Sequence, residues 1–463
     1  MLKSNIAWMK KNVPSDLKVW KGMIQDIDWS QVAAKTKLSL QRDKDRITAE
    51  FKEFAAMDTS AKIDWLMNGD RHLGYLYKKD AIAFARREWK GLKSVGYDFV
   101  GWLKIWGGML NMVMKDPMSI MLAVFEYHWF ASYLATPAVV DRSVFGRRGK
   151  LLQADFDMWV AITHWAEDLI ANLIMADAKI GGNQKINKRI IMFDEMTMAQ
   201  MMAGFPNLLG IPYQMIPVFM VSEMDQLTLI PYIDAIESYG LPSDTCPLPT
   251  AECGCAVKDE YPMCGQGFIA SSMPCDGSVM ATSFQDRRFS KFMPSYPLCM
   301  PVRYDDEDTT EMAAADMKDC IHWVEGLTGE TWNWDTYFAT MEKMNECTRL
   351  EMEKWEINKT HYPQLVGSSF ELFRKWNYEM DGGLFPEGLK TQRKICKTMM
   401  ETYEKKLPAY VGGYEKYRAL IWSCPAHFYA NFSNWLANCW GIYALTEMEA
   451  LNMTKMLNTT DKE

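Results

Sequence analysis

Gly181-Gly182-Asn183 divides this sequence into two kinds of chain. Before it, apolar residues recur at helical spacing, with no β-alternation and no internal repeat. In 155–177 the residues Phe156, Trp159, Val160, Thr163, Ala166, Leu169, Ile170 and Leu173 keep a sustained 3–4 spacing. Asp58-Thr59-Ser60 reads as a helix start, with Ile63, Leu66 and Met67 on one face. The stretches 99–114 and 120–134 are apolar with aromatic interruptions. After the boundary, short apolar runs alternate with helices. The runs 190–193, 216–221, 268–270 and 298–302 predict four buried strands, and 195–203 and 227–239 predict helices between them. Such alternation predicts a parallel sheet in an α/β layer. From 310 to about 407 the pattern is helical again, and 418–424 and 441–446 predict two more strands around a helix starting near Ala430.

The fold class expected is therefore α/β. A parallel-sheet domain with helical insertions occupies 181–415. An all-helical region, 1–180, precedes it, and the start of a second α/β domain, 416–463, follows it. One βαβ unit cannot cover both faces of its own sheet, so that last domain reads as incomplete.

Charge and hydropathy narrow the function classes. A net charge of −8 over 463 residues supplies no basic face for nucleic acid. The N-terminus carries no apolar signal segment. The greasiest stretch, 117–140, is interrupted by Glu126 and His128, which predicts no membrane span. The expectation is a cytoplasmic protein. The 36 Met and 18 Trp residues read mostly as adaptable core filling. His72, His128 and His164 have no metal-like spacing and read as hydrogen-bonded, partly buried histidines.

The chemistry concentrates in 246–275. Cys246, Cys253, Cys255, Cys264 and Cys275 lie there, five of eleven cysteines, none of which precedes position 246. Disulfides are rare in the expected compartment, and an odd count does not close a framework. The spacing fits neither a paired C-x2-C zinc ribbon nor a compact ferredoxin run. Soft thiolates from separate loop ends remain open to iron–sulfur or zinc, and buried packing remains open as well. Ligands of a parallel sheet sit beyond the carboxyl ends of its strands. Cys275 follows the third expected strand and Glu223 the second, so both are placed at that crevice. Ser271, Ser272 and Ser278 flank Cys275 as hydrogen-bond donors or loop caps. Lys185, Lys188 and Arg189 form a basic turn, solvated or able to attract phosphate.

An ordered set of segments from Asn183 onward resembles the 2-hydroxyacyl-CoA dehydratase and benzoyl-CoA reductase subunit family. KINKRIIMF is similar to its opening strand and VFMVSEMDQ to its second. LPSDTCPL and MPCDGSVM resemble the segments bearing two cluster cysteines, and PLCMPVRYD the strand after them. HWVEGLTGETWNWDTYFATMEKMNE resembles a helix–turn–helix, and YRALIWSCPAHFYANFSNWLANCWGIYALTE the start of a second domain.

The resemblance implies a 4Fe–4S cluster with Cys246 and Cys275 as two of its ligands, and a third cysteine from a segment the chain does not reach; either Cys253, Cys255 or Cys264 substitutes, or the cluster is incomplete or absent. It implies an acyl-CoA substrate, Glu223 beside that substrate, Ser272 and Ser278 near the cofactor, a second dehydratase-type subunit, and an ATP-hydrolysing activator protein that delivers one electron. Dehydration of a 2-hydroxyacyl-CoA through a ketyl radical is the leading expectation. Reduction of an aromatic acyl-CoA, or a non-catalytic partner role, is the alternative.

Overall fold

Ile190–Phe193 (β1) buries all four side chains, as a strand does when both faces of its sheet are covered. In this computed structural model β1 pairs in parallel with Leu209–Pro212 (β2) and with Gly267–Ser271 (β3). In turn β3 pairs in parallel with Ser295–Leu298 (β4), giving the order β2-β1-β3-β4. The structure describes residues 28–68, 92–144, 147, 149–193, 199–213, 215–219, 221, 226–242, 244–272, 276–289, 293–299, 307–366, 385–407, 409, 415–421, 436–447 and 456–462, with scattered positions before 28.

The longer helices described before the sheet are Trp29–Ala56 (α1), Thr59–Asn68 (α2), Leu92–Lys115 (α3), Pro117–Glu126 (α4), Thr136–Ser143 (α5) and Gly149–Ala176 (α6). Their starts follow capping chemistry. The Asp28 side chain accepts from the amides of Ser30 and Gln31, and Asp58 accepts from Ala61 N at 2.8 Å, at the helix start expected there. Asp116 caps α4, with Pro117 in the first turn. The later helices are Ile230–Glu237 (α7), Pro247–Val257 (α8), Asp276–Phe289 (α9), Glu307–Thr328 (α10), Trp334–Asn358 (α11) and Pro386–Glu404 (α12).

Strand alternation divides the core in two. Ile190, Met192, Phe268 and Ala270 join a large cluster that runs continuously into α3, α4, α6 and α12. Ile191, Phe193, Ile269 and Leu298 face the other way, onto Cys320 and Val324 of α10. The early helices and one sheet face thus share one interior, with α6 packed between α3 and α12. Polar straps, one at the surface and one buried, hold the two together. The Glu260 carboxylate accepts from His128 N at 2.8 Å and from the Tyr232 hydroxyl at 2.6 Å. The Asp177 carboxylate accepts from Met263 N at 2.7 Å and from the Tyr127 hydroxyl. Burial raises the Asp177 carboxyl to about 6 against the pull of those bonds.

Two strands lie elsewhere than the sequence predicts. The expected strand 216–221 is not one: Met215–Phe219 forms a single π-helical turn, and the strand lies earlier, at β2. A short apolar run fits either state, and Pro217 has no amide to give a ladder. The fourth strand is described as Ser295–Leu298, so the expected run 298–302 meets it only at Leu298, and 300–302 lie outside the described residues. Both displaced strands are sheet edges and contain a proline, Pro212 and Pro297, a residue that edges tolerate. The expected helix 195–203 is described only as a 3-10 turn, Ala199–Gly204. Tyr417–Ile421 (β5) and Ile442–Glu447 (β6) form a separate parallel pair, close to where the sequence places them. The helix expected from Ala430 lies mostly outside the described residues; Leu436–Trp440 is a π-helical turn.

Candidate functional site

Cys246 is the N-cap residue of α8 and is exposed. Its carbonyl accepts from both the amide and the hydroxyl of Thr250, which fixes the first turn. Pro247 and Pro249 remove two of the amide donors that a helix N-terminus ordinarily offers an anion. The rest of α8 is a buried anchor: every residue from Pro249 to Ala256 is buried. Gly254 lies so close to α7 that a Cβ there would stand 1.9 Å from the Tyr232 carbonyl oxygen. The helix therefore holds the Cys246 thiol at a fixed point, facing solvent.

That point is on the carboxyl edge of the sheet. Helix α9 follows β3 and runs back from the carboxyl ends of the strands. Helix α8 packs on it, with Cys253 and Ala281 in one small cluster with Ile236. Cys275, like Glu223, lies outside the described residues. Ser272 is half-buried at the end of β3, where its amide donates to the Leu298 carbonyl at 3.2 Å. Ser278 lies in the first turn of α9, and its side chain is outside the described set.

Sequence reasoning passed over a second exposed thiol on the same edge. Cys299 immediately follows β4, and its amide donates to the Asp316 carboxylate at 2.6 Å. The β3–β4 register pairs Ser271 with Leu298, so Cys299 comes opposite Ser272. The signal was a cysteine at a strand end in PLCMPV, obscured because the strand was placed three residues too late.

Three further thiols of the cysteine stretch lie inside the core. Cys253, Cys255 and Cys264 are buried. Burial, with Glu252 adding to it, pushes the Cys253 thiol up to about 12, and burial with Asp177 raises Cys264 well above its usual value. Without a metal these two thiols stay protonated and shielded from solvent. The edge thus fits a soft metal in donor type, through exposed Cys246 and Cys299. Among the described residues no three His, Cys, Asp or Glu side chains converge on one metal position.

The basic turn of Lys185, Lys188 and Arg189 precedes β1, at the amino ends of the strands and away from Cys246; Arg189 donates to the Asn207 carbonyl at 3.0 Å. A groove of about 470 Å³ lies at that same end of β2, between Trp165, Leu209 and Lys343. His164 pairs with Glu387 at 3.3 Å, His128 packs its ring edge-on to Tyr232, and His72 lies outside the described residues. Among the described residues no helix is long and apolar enough to cross a membrane.

A family model described as 2-hydroxyglutaryl-CoA dehydratase, D-component, matches residues 226–463, slightly more than half the chain. That span contains α8, β3, α9, β4 and the whole cysteine stretch. No curated protein matches the chain.

Proposed function

Because the chain belongs to the 2-hydroxyglutaryl-CoA dehydratase D-component family, we propose that it is a dehydratase component whose carboxyl edge holds a 4Fe–4S cluster and receives a 2-hydroxyacyl-CoA. The observation that carries the reading is Cys246, an exposed thiol fixed on a buried helix at the strand ends, inside the matched span. Cys246 and Cys275 hold the cluster. A 4Fe–4S cluster held there would supply reversible one-electron transfer to the thioester carbonyl, the electron coming from a separate ATP-hydrolysing activator and being recovered once hydroxide and the β-proton have left the 2-hydroxyacyl-CoA.

The chain's own residues bind and orient. Ser272 and Ser278 donate hydrogen bonds near the cofactor, and Glu223 stands beside the substrate. A second dehydratase-type subunit completes the assembly.

The test is anaerobic purification with the partner component, followed by iron and sulfide analysis and turnover of a 2-hydroxyacyl-CoA with activator and ATP. Iron and sulfide near four each, both reduced in Cys246→Ala and Cys275→Ala, support the reading. Stoichiometric zinc, or no metal under strict exclusion of oxygen, overturns it. Turnover of an aromatic acyl-CoA in place of the 2-hydroxyacyl-CoA would replace dehydration by ring reduction.

A further inference from the structure

Helix α3 is apolar on both sides, and among the described residues only one side is covered. Ser94, Gly101 and Gly108 recur every seven residues on the face buried against α6. They are small because α6 is close. A Cβ on Gly101 would meet Phe156 at 2.3 Å, and one on Gly108 would meet the Glu167 carboxylate at 2.3 Å. The opposite face carries two further rows at the same period. Leu92, Phe99 and Trp106 form one, exposed by 54, 64 and 54 %, and Leu103 and Leu110, exposed by 57 and 62 %, form the other. Gly96 begins that second row, with open space where its Cβ would be.

A helix that is hydrophobic all round is ordinarily buried all round. A seven-residue repeat sustained along a helix is the pattern of a coiled-coil seam, in which each large side chain enters a hole on a facing helix. The order of sizes along the seam says which helix. Laid against a second copy of itself in the opposite direction, Trp106 comes opposite Gly96, Phe99 opposite Leu103, and Leu92 opposite Leu110. The largest side chain meets the one gap, twice, by two-fold symmetry. A parallel pairing would instead set Trp106 on Trp106 and Gly96 on Gly96.

The area is adequate. Val100 and Met114 flank the rows. With about 60–120 Å² to bury on each large side chain, these seven residues of α3 supply the greater part of the ~800 Å² per partner of a stable interface.

We propose that this face of α3 is a homodimer interface, in which two copies of the chain pair through antiparallel α3 helices about a two-fold axis near Gly101. The interface lies outside the span that carries the proposed cluster, so the dimer neither requires nor excludes that chemistry.

The experiment uses the full chain. Light scattering after size exclusion is expected to give a dimer at micromolar concentration. Leu103→Glu and Leu110→Glu replace side chains already exposed in one copy, so they are expected to keep the wild-type circular dichroism while giving a monomer. The double variant Leu92→Cys/Leu110→Cys is expected to cross-link into a covalent dimer on oxidation, beyond the wild-type background from native thiols. Neither single variant is expected to do so, because the two copies of one position lie roughly 27 Å apart in the antiparallel arrangement. A wild-type monomer at tens of micromolar overturns the proposal, as does cross-linking by Leu92→Cys alone. A monomer that partitions onto neutral phospholipid vesicles, with loss of binding in Leu103→Glu, overturns it in favour of a membrane surface.

Discussion

The Arg147 guanidinium and the Asp155 carboxylate form an ion pair, 3.0 Å from Nε to Oδ2, with both side chains almost wholly buried. Arg147 also donates to the carbonyls of Gln364, Val366 and Ala409. One side chain thereby ties the start of α6 to two segments more than two hundred residues later. Removing one partner of a buried pair leaves the other charge in a medium that cannot solvate it. Asp155→Ala is expected to cost about 3–5 kcal/mol, read as a lower midpoint in urea unfolding. Loss of under 1 kcal/mol would mean that the three carbonyls alone satisfy the guanidinium.

Gly254 sets how closely α7 and α8 approach. Its missing Cβ would clash with backbone, the Tyr232 carbonyl, which has no rotamer to escape into. Gly254→Ala is therefore expected to separate the helices despite the better helix propensity of alanine. The result to look for is faster amide exchange along α8 together with weaker iron retention at Cys246. Exchange unchanged from wild type would show that α8 is held by its contacts with α9 instead.

Glu167 of α6 is buried, and its Oε1 meets no hydrogen-bond donor. Burial lifts its carboxyl from the ordinary 4.5 to about 8; Asp168 adds to the rise and Lys115 opposes it. The folded state therefore keeps a proton that the unfolded state releases from pH 4.5 upward. Stability falls as pH rises from about 4.5 to 8 and levels off above that. Glu167→Gln removes this slope. The variant is expected to match wild type near pH 4 and to exceed it at pH 8–9 by a few kcal/mol at most. Parallel stability curves for the two proteins from pH 5 to 8 would show that Glu167 ionises normally.

The interior was legible in the sequence where burial made it uniform. Strands β1 and β3 are central, apolar on both faces and free of proline, and they lie where the periodicity places them. The helix starts at Asp28 and Asp58 rest on local capping, and the second of them was read directly. Edge strands were not legible, because one side of each needs no ladder and so admits Pro212 and Pro297. The error at β4 hid Cys299. The shared core of the early helices and the sheet was hidden too, since periodicity reports which face of a helix is apolar and not what that face meets. Within the cysteine stretch, the split between exposed Cys246 and buried Cys253 and Cys255 depends on the packing of α8 between α7 and α9, which spacing alone does not encode.

That split predicts a labelling pattern. In the native, metal-free protein, brief treatment with a maleimide near neutral pH is expected to modify Cys246 and Cys299, mapped by peptide mass spectrometry. Cys253 and Cys264 are expected to stay unmodified until denaturant is added, because burial both shields the sulfur and disfavours the thiolate that reacts. Cys320, Cys347 and Cys396 are buried, with thiols raised likewise, and belong to the protected set. Repeating the experiment after anaerobic iron and sulfide reconstitution tests the site residue by residue. Cys246 is expected to become protected. Cys299 separates two ligand sets on the same sheet edge: protection makes it a ligand, and unchanged reactivity leaves the remaining coordination to Cys275 and to groups beyond β4. Labelling of Cys246 at an undiminished rate in reconstituted protein would remove it from the cluster.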